Sequence, residues 1–302
     1  MLALLQKITT FLTLAAAAGW LAYFGRSAPA LAWAGFVVFI FGYSALFAVE
    51  FAIARRINKQ DPVGQARWRD LVAAWWGETV VAPCVFCWRQ PFRSNAVKNQ
   101  LGPQEKVQGR RGIVFVHGFF CNRGLWTPWL ECLQDRGNAF VAIDLEPLFG
   151  SIDDYALQID DAVRQVTQVT GLAPLLVCHS MGGLAARAWL KLMKHEAQVH
   201  HVVTIGTPHQ GTWLARFGHG ENSRQMCLAS SWHAGLNHAV SRGRDVQFTC
   251  WYSDCDNIVF PASNATLLGA SNRLIPGVGH VQMAFLPVVM QTTLDLLDDH
   301  SP

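Results

Sequence analysis

The chain has 302 residues, of which 51% are hydrophobic and only 15% are charged, and its formal net charge at pH 7 is +3. About a quarter of the residues in an average soluble domain are charged, so the chain is expected to hold one large α/β domain and an additional apolar segment. The mild net charge, without a dense Lys/Arg stripe or zinc-finger spacing, predicts that nucleic acid is not a partner.

Two long apolar runs begin the chain. Residues 8–24 carry no charge and residues 28–49 are equally apolar, and each run is about long enough to cross a hydrocarbon core of roughly 30 Å. The sequence GRSAP between them contains Gly25 and Pro29 and is typical of a turn. We therefore predict a two-helix transmembrane hairpin over residues 1–54, with the lipid bilayer as a partner. A signal peptide followed by an ordinary helix is the alternative, which the second apolar run disfavours.

Basic residues predict the orientation of this hairpin. Lys7 precedes the first run and Arg26 alone lies between the two, whereas five basic residues follow within residues 55–69. Positive flanks favour the cytoplasmic side of a membrane. We therefore expect a multi-pass protein of a bacterial-type inner membrane with a cytoplasmic catalytic domain. Its eight cysteines would lie in a reducing compartment and remain thiols.

Residues 55–111 are expected to connect the hairpin to the following domain. The sequence DPVGQARWRDLVAAWWGETVV predicts a helix that begins near Asp61–Pro62. Its tryptophans suit a membrane interface and suit packing on the domain equally well, and both interpretations stay open. Residues 93–112 are polar and rich in turn-forming residues, which is typical of a linker.

From residue 112 onward, short apolar runs alternate with longer helical stretches, and residues 153–170 predict a helix because apolar side chains recur at three- and four-residue steps. Strands are predicted at residues 113–116, 139–145, 173–178, 201–208 and 246–252. Strands that alternate with helices form a mostly parallel sheet with helices on both faces. We therefore predict an α/β domain over residues 112–302.

The strongest chemical signal is the sequence LLVCHSMGGLAARAWL, in which an apolar strand runs into Ser180 and a helix begins at once. This is the context of a nucleophile elbow, a sharp turn that lifts a serine hydroxyl above the sheet edge. Gly182 supplies one of the small residues that the close approach of strand and helix requires. Cys178 stands where the usual motif has glycine, and its small size keeps the turn feasible. A serine that only caps a helix is the alternative.

A serine hydroxyl becomes a nucleophile only beside a base, and in this context the chain order is serine, acid, histidine. His280 lies in a glycine-rich loop between a short apolar strand and the C-terminal helix. Asp256 is the preferred acid because it follows a predicted strand, and Asp254 is its competitor. The backbone N–H groups of Phe119 and Met181 are the predicted oxyanion-hole donors. No metal and no organic cofactor is predicted.

The segments VHGFFCNRGLW, LVCHSMGGLAARAWL, TIGTPHQGTWLARFG and YSDCDNIVFP resemble bacterial lipases and esterases of the α/β-hydrolase superfamily. The resemblance extends over about residues 112–297. It implies an α/β-hydrolase fold, a Ser180–Asp256–His280 triad and transfer of an acyl group to water. It also implies a short cap at about residues 209–245. The apolar residues of that segment, which would favour a hydrophobic acyl chain, are Trp213, Leu214, Phe217, Met226, Leu228, Trp232 and Leu236.

Together these patterns predict a membrane-anchored serine ester hydrolase of the lipase or carboxylesterase type. It would cleave a lipophilic carboxylic ester through an acyl-enzyme on Ser180. An acyltransferase or thioesterase that uses the same triad is an alternative, because a fold does not determine its chemistry. A non-catalytic membrane scaffold is another, although a scaffold has no need of the serine, acid and histidine together. The sequence contains no signal for an oligomeric state.

Overall fold

The computed structural model describes residues 1–102, 104–193, 198–240 and 246–298. The N-terminal third contains α1 (Leu2–Phe24), α2 (Pro29–Ile57), α3 (Trp68–Pro83), a π-helical segment (Cys84–Arg89), α4 (Gln90–Arg93) and α5 (Gln104–Val107). The strands are β1 (Ile113–Val116), β2 (Phe140–Ala142), β3 (Leu175–His179), β4 (His201–Ile205), β5 (Gln247–Tyr252) and β6 (Ser271–Leu274). Between and after them lie α6 (Thr127–Arg136), α7 (Ala156–Thr170), α8 (Met181–Met193), α9 (Glu221–Met226), α10 (Ser231–Val240), α11 (His280–Met283) and α12 (Pro287–Asp295). The predicted cap and hydrolase domain also include residues 194–197, 241–245 and 299–302, which lie outside the described residues.

The six strands form one sheet in the order β2-β1-β3-β4-β5-β6, and every neighbouring pair is parallel. The predicted α/β class is therefore confirmed. The strand predicted at residues 139–145 is shorter than expected and ends at Ala142. It ends there because the chain turns to make other contacts: Asp144 accepts a hydrogen bond from the Arg123 N–H, and the Leu145 N–H donates to His117.

The sheet separates two apolar cores, because successive side chains of a strand point to opposite faces. On β1, Val114 and Val116 pack in one core together with Ile159 of α7 and Leu184 of α8. The intervening residues Ile113 and Phe115 pack in the other core, with Trp129 and Leu130 of α6 and Leu294 of α12. Helices therefore cover both faces of the sheet. Loops connect at the two ends of the strands.

Within the described part of the chain, three helices are long and apolar enough to cross a membrane: residues 2–24, 29–60 and 68–93. The sequence analysis predicted only the first two. In the most apolar stretches of these two helices, only 17% and 6% are buried inside the protein. Large apolar side chains such as Phe11 and Val38 are 59% and 67% exposed. The third helix is different, because α3 buries Glu78 against the rest of the protein, at 1% exposure.

The helix predicted to begin near Asp61–Pro62 begins instead at Trp68, so that prediction is wrong. The Asp61 carboxylate does not cap a helix that continues from it. It accepts a hydrogen bond from the Val63 N–H at 2.9 Å and another from the Ser263 hydroxyl at 2.6 Å. The Asp61 side chain therefore binds a loop that is distant in sequence, and no helix begins at this residue.

The segment predicted as a linker packs on the edge of the sheet. Gln100 and Phe140 of β2 exchange two backbone hydrogen bonds, at 2.7 and 3.0 Å. The Asn99 side-chain oxygen accepts from the Ala142 N–H at 3.0 Å and from the Arg123 guanidinium at 2.7 Å. The polar residues that suggested a flexible connection instead pair with the exposed groups of β2.

Replacing Phe115 tests the core on which β1 rests. Its buried ring lies 4.9 Å from that of Trp126 and 5.7 Å from that of Trp129. We expect Phe115→Ala to lower the free energy of unfolding by about 3–5 kcal/mol, because a large cavity replaces these contacts. Denaturant titration followed by circular dichroism in detergent measures the loss. Leu157→Ala on α7 is the control, since Leu157 is 66% exposed, and equal losses in the two variants would contradict the prediction.

Candidate active site

Ser180 occupies the sharp turn between β3 and α8 with a backbone φ of +54°. L-residues with side chains rarely adopt this left-handed conformation, and the few that do cluster at functional sites. Two hydrogen bonds hold the turn: the Ser180 N–H donates to the Ile205 carbonyl, and the Thr207 hydroxyl donates to the Ser180 carbonyl, each at 2.8 Å. The strained turn is therefore fixed against the end of β4.

Small residues allow the turn to approach the loop that follows β1. A Cβ atom at Gly182 would lie 2.7 Å from the His117 carbonyl oxygen and would also collide with the Val116 carbonyl. A Cβ atom at Gly118 would lie 2.7 Å from the Ser180 Cβ atom. Cys178, which departs from the usual glycine, is fully buried within the sheet core. The elbow therefore accommodates a cysteine two residues before the serine.

His280 and Asp256 form a buried hydrogen-bonded pair. The distance from His280 Nδ1 to Asp256 Oδ2 is 2.9 Å, and the two residues are 4% and 1% exposed. The other Asp256 oxygen accepts from the N–H groups of Ile258 and Val259, each at 2.8 Å. Because Nδ1–H donates to the carboxylate, Nε2 is left as the proton acceptor of the ring. Asp254 is engaged elsewhere and accepts from the Gly277 N–H.

The environment of His280 favours its protonated form despite burial. Burial by itself lowers the pKa of the imidazole, but the charge and hydrogen bond of Asp256, together with the charges of Glu78 and Glu50, outweigh it, and the net pKa is raised above the usual 6.5. Once His280 is deprotonated at alkaline pH, its ring can accept a proton.

The end of β4 brings the serine to the acid and the histidine. Gly206 follows Ile205, whose carbonyl binds the Ser180 N–H. A Cβ atom at Gly206 would lie 3.0 Å from His280 Nδ1 and 3.2 Å from Asp256 Oδ2. The end of β4 therefore contacts Ser180 through Ile205 and lies against the Asp256–His280 pair at Gly206, although the three predicted triad residues lie 24 to 100 residues apart in the chain.

Residues 113–254 match the model of a family described as the alpha/beta hydrolase family. The chain has an α/β-hydrolase fold. It also resembles solved lipases, as the sequence predicted. Against the mature form of the Bacillus licheniformis lipase BlEst2, the TM-score is 0.56 and the identity 19%, over 63% of this chain and 92% of the lipase. Against Aspergillus fumigatus lipase B, the TM-score is 0.57 and the identity 18%, over 64% of this chain and 54% of that lipase. A search of curated proteins finds no match.

The two predicted oxyanion donors, Phe119 and Met181, belong to the loop after β1 and to the start of α8. Met181 is the first residue of α8, and an N–H in the first turn of a helix has no acceptor within the helix. Phe119 follows Gly118, the residue in close approach to Ser180. The next residue, Phe120, has a φ of +58°, so the loop changes direction immediately after the predicted donor.

His117 stabilises this loop. Its Nδ1–H donates to the Gly118 carbonyl at 2.8 Å, and its Nε2 accepts from the Leu145 N–H at 3.0 Å. Burial lowers the pKa of His117, and the two hydrogen bonds require a neutral ring. Both ring nitrogens are therefore occupied by the backbone, which excludes His117 from proton transfer in this arrangement.

Sequence reasoning missed residues that surround the histidine. The ring of His179 lies 4.7 Å from that of His280, and its Nε2–H donates to the His280 carbonyl at 3.2 Å. Asn257 accepts from the His280 N–H at 3.2 Å, and Glu78 accepts from the Val281 N–H at 3.0 Å. His179 and Asn257 each adjoin a predicted site residue, which was an available signal. An isolated acid in an apolar helix was the signal for Glu78.

Aromatic side chains line the predicted oxyanion loop. The ring of Phe119 lies 6.0 Å from that of Phe120 and 5.9 Å from that of Phe149, and the last two rings are 37% and 49% exposed. The cap segment borders them, because the Asn222 side chain in α9 donates to the carbonyl of Leu148. Two residues expected on the underside of the cap, Met226 and Leu236, instead lie in the sheet core. An exposed apolar surface therefore remains beside the site.

The described residues contain no group of three or more His, Cys, Asp or Glu side chains arranged to hold a metal ion. The side chains gathered at Ser180 are suited to proton transfer and to nucleophilic attack.

The titration of His280 tests the pair with Asp256. We expect a midpoint above 6.5, because a carboxylate holds the added proton to higher pH. Asp256→Asn removes that charge and should lower the midpoint, whereas Asp254→Asn should leave it near the wild-type value. NMR of 13C-labelled histidine follows the titration, with the resonance assigned by its loss in His280→Gln. A wild-type midpoint at or below 6.5, or a larger effect of Asp254→Asn, would refute this pairing.

Proposed function

We propose that the protein is a serine ester hydrolase that forms an acyl-enzyme on Ser180. The observation that supports this proposal best is the φ of +54° at Ser180 beside the buried Asp256–His280 pair. Strain of this kind is retained where a side chain must be presented to a substrate. A serine that merely capped α8 would not require a left-handed backbone.

In the proposed reaction, the Ser180 hydroxyl attacks the ester carbonyl carbon while His280 Nε2 accepts its proton. Asp256 holds the ring in the required tautomer and stabilises the imidazolium. The negative oxygen of the tetrahedral intermediate accepts hydrogen bonds from the Phe119 and Met181 N–H groups. The alcohol leaves with the proton from His280. Water then attacks the acyl-enzyme with His280 again as the base, and the carboxylic acid is released.

We infer that the acyl group is apolar. The exposed rings of Phe120 and Phe149 adjoin the loop that would hold the oxyanion, and hydrocarbon chains gain free energy by covering such surface. The similarity of the fold to a Bacillus licheniformis lipase and an Aspergillus fumigatus lipase supports a lipid ester as the substrate class.

We also propose that α1 and α2 anchor the enzyme in a bacterial-type inner membrane with the hydrolase domain in the cytoplasm. At about 1.5 Å per residue, the 23 residues of α1 and 29 residues of α2 reach roughly 35 and 44 Å. The basic residues Arg55 and Arg56 in the last turn of α2 suit a cytoplasmic boundary. We assign α3 to the domain surface, because Glu78 binds the loop that carries His280.

Ser180→Ala tests the proposed nucleophile. We expect a fluorophosphonate probe to label the wild-type full chain in detergent and to lose this labelling in the variant, because the attacked oxygen is absent. Hydrolysis of p-nitrophenyl esters should fall by about 10³-fold or more. In the wild type, kcat/KM should rise from acetate to octanoate as the acyl chain covers more apolar surface.

The matched control is Ser271→Ala, on the exposed strand β6, which should keep full labelling. Folded wild-type protein that is neither labelled nor active would favour a scaffold. Formation of a new ester when an alcohol is added, in preference to free acid, would identify an acyltransferase. Rates that fall with acyl length would contradict the apolar site.

Reporter fusions test the orientation of the anchor. Alkaline phosphatase is active only outside the cytoplasm, so we expect activity from a fusion in the turn after residue 27 and none from a fusion after residue 60. A cytoplasmic reporter at the same positions should show the reverse pattern and serves as the control. Phosphatase activity after residue 60 would contradict a cytoplasmic hydrolase domain.

A further inference from the structure

A carboxylate from α3 contacts the loop that carries the catalytic histidine. Glu78 is 1% exposed, and its two oxygens accept hydrogen bonds from the N–H groups of Val281 and Gln282, each at 3.0 Å. These N–H groups belong to the two residues that directly follow His280. A Cβ atom at Gly279, the residue before His280, would lie 2.6 Å from Glu78 Oε2. The Glu78 carboxylate therefore contacts the residues that precede and follow His280 in this loop.

A second carboxylate, from α2, reaches the same loop through one intermediate. Glu50 accepts a hydrogen bond from the Asn257 side-chain N–H at 2.8 Å. Asn257 is 1% exposed, and its side-chain oxygen accepts from the His280 N–H at 3.2 Å. Because Asn257 also follows Asp256 directly, this chain of contacts joins α2 to both members of the acid–histidine pair.

Amide N–H groups donate to both side chains. Burial raises the pKa of Glu78 to about 7, so this side chain is a carboxylate at alkaline pH. Proton transfer from Ser180 creates a positive charge on His280 beside both side chains. Burial lowers the pKa of His280, while the charges of Asp256, Glu78 and Glu50, in decreasing order, raise it. From β3, His179 also faces the ring, but burial holds its pKa well below the usual value, so it stays neutral.

We propose that Glu78, assisted by Glu50 acting through Asn257, is a positioning residue that orients His280 and stabilises its imidazolium form. The two N-terminal helices α2 and α3 thereby become part of the catalytic apparatus, in addition to any role in anchoring. This inference rests on the proposed function, because it assigns Glu78 and Glu50 to the base of that reaction. Neither carboxylate touches the substrate in this scheme.

Glu78→Gln tests the proposal because it removes the charge and keeps the size of the side chain. The measurement is the rate constant for fluorophosphonate labelling of Ser180, as a function of pH, in the detergent-solubilised full chain. We expect about a tenfold lower rate on the alkaline plateau, because hydrogen bonds to a charged group are stronger than those to a neutral amide. The midpoint of the profile should move to lower pH, since a histidine with one less carboxylate nearby loses its proton more easily.

Two further variants sharpen the result. Glu50→Gln should shift the midpoint in the same direction by a smaller amount, because Glu50 acts through Asn257. Glu78→Ala should lower the rate more than Glu78→Gln, because alanine removes both acceptors of the loop amides. The matched control is Asp70→Asn on the same helix, whose carboxylate pairs with Arg67 at 2.8 Å. This control should keep the wild-type midpoint.

The midpoint decides between a role at His280 and a merely structural role. If the wild type is labelled and Glu78→Gln keeps its midpoint, the proposal is overturned even when the melting temperature falls, while the proposed function stands. If the wild type is not labelled, the proposed function itself fails. If Glu78→Gln does not fold, Glu50→Gln decides: a shift to lower pH supports the proposal, and an unchanged midpoint overturns it.

Discussion

The close approach between the serine turn and the loop after β1 constrains the rest of the site. Ser180 adopts its left-handed backbone only because Gly118 and Gly182 leave room for the neighbouring chain. The same contact brings the loop that carries Phe119 close to Ser180, the proposed nucleophile. A side chain larger than glycine at either position would separate the proposed oxyanion donors from the serine. The Asp256–His280 pair would then lack a correctly placed serine.

Several hydrogen bonds join the apolar helices to each other and to the hydrolase domain, in addition to the covalent link along the chain. Tyr43 of α2 donates to the Thr79 carbonyl of α3, and the Trp75 indole of α3 donates to the Ser44 carbonyl of α2. Farther along, Asn58 donates to the Asp254 carbonyl and accepts from the Ala262 N–H. These hydrogen bonds fasten the helices to the loops on either side of Asp256. The apolar helices are therefore joined directly to the loops that hold Asp256.

Local sequence patterns predicted the sheet well, because burial on both faces produces short apolar runs with sharp ends. Residues 113–116 were predicted as a strand and form β1 with the same limits. The polar edge strand β6 has no buried residue, so only its apolar end near Leu274 offered a signal. The elbow was recognisable because a strand, a serine and a helix follow one another directly in the chain.

Contacts between distant segments could not be read from local patterns. Asp61 was predicted to cap a helix because Pro62 follows it, but its strongest partner, Ser263, lies about 200 residues away. Residues 93–112 were predicted as a linker because they are polar, although their polar groups satisfy the exposed edge of β2. Asp256 was preferred over Asp254 because it follows a predicted strand, and the contact of Asp256 with His280 is visible only in the structure. Glu50 and Glu78 were acids in apolar helices, and the chemistry they contact is apparent only in three dimensions.

The uninterrupted course of α2 has a geometric consequence. The helix extends without a break from Pro29 to Ile57 and carries Glu50 into contact with Asn257. If α2 spans a bilayer as proposed, the height of Ser180 above the bilayer midplane would be set by the length of this stiff helix and not by a flexible tether. An ester bond buried at one depth of the lipid layer would be within reach, while the same bond a few ångströms deeper would not. In the proposed anchored enzyme, depth in the bilayer would thereby select among substrates, alongside the shape and polarity of the site.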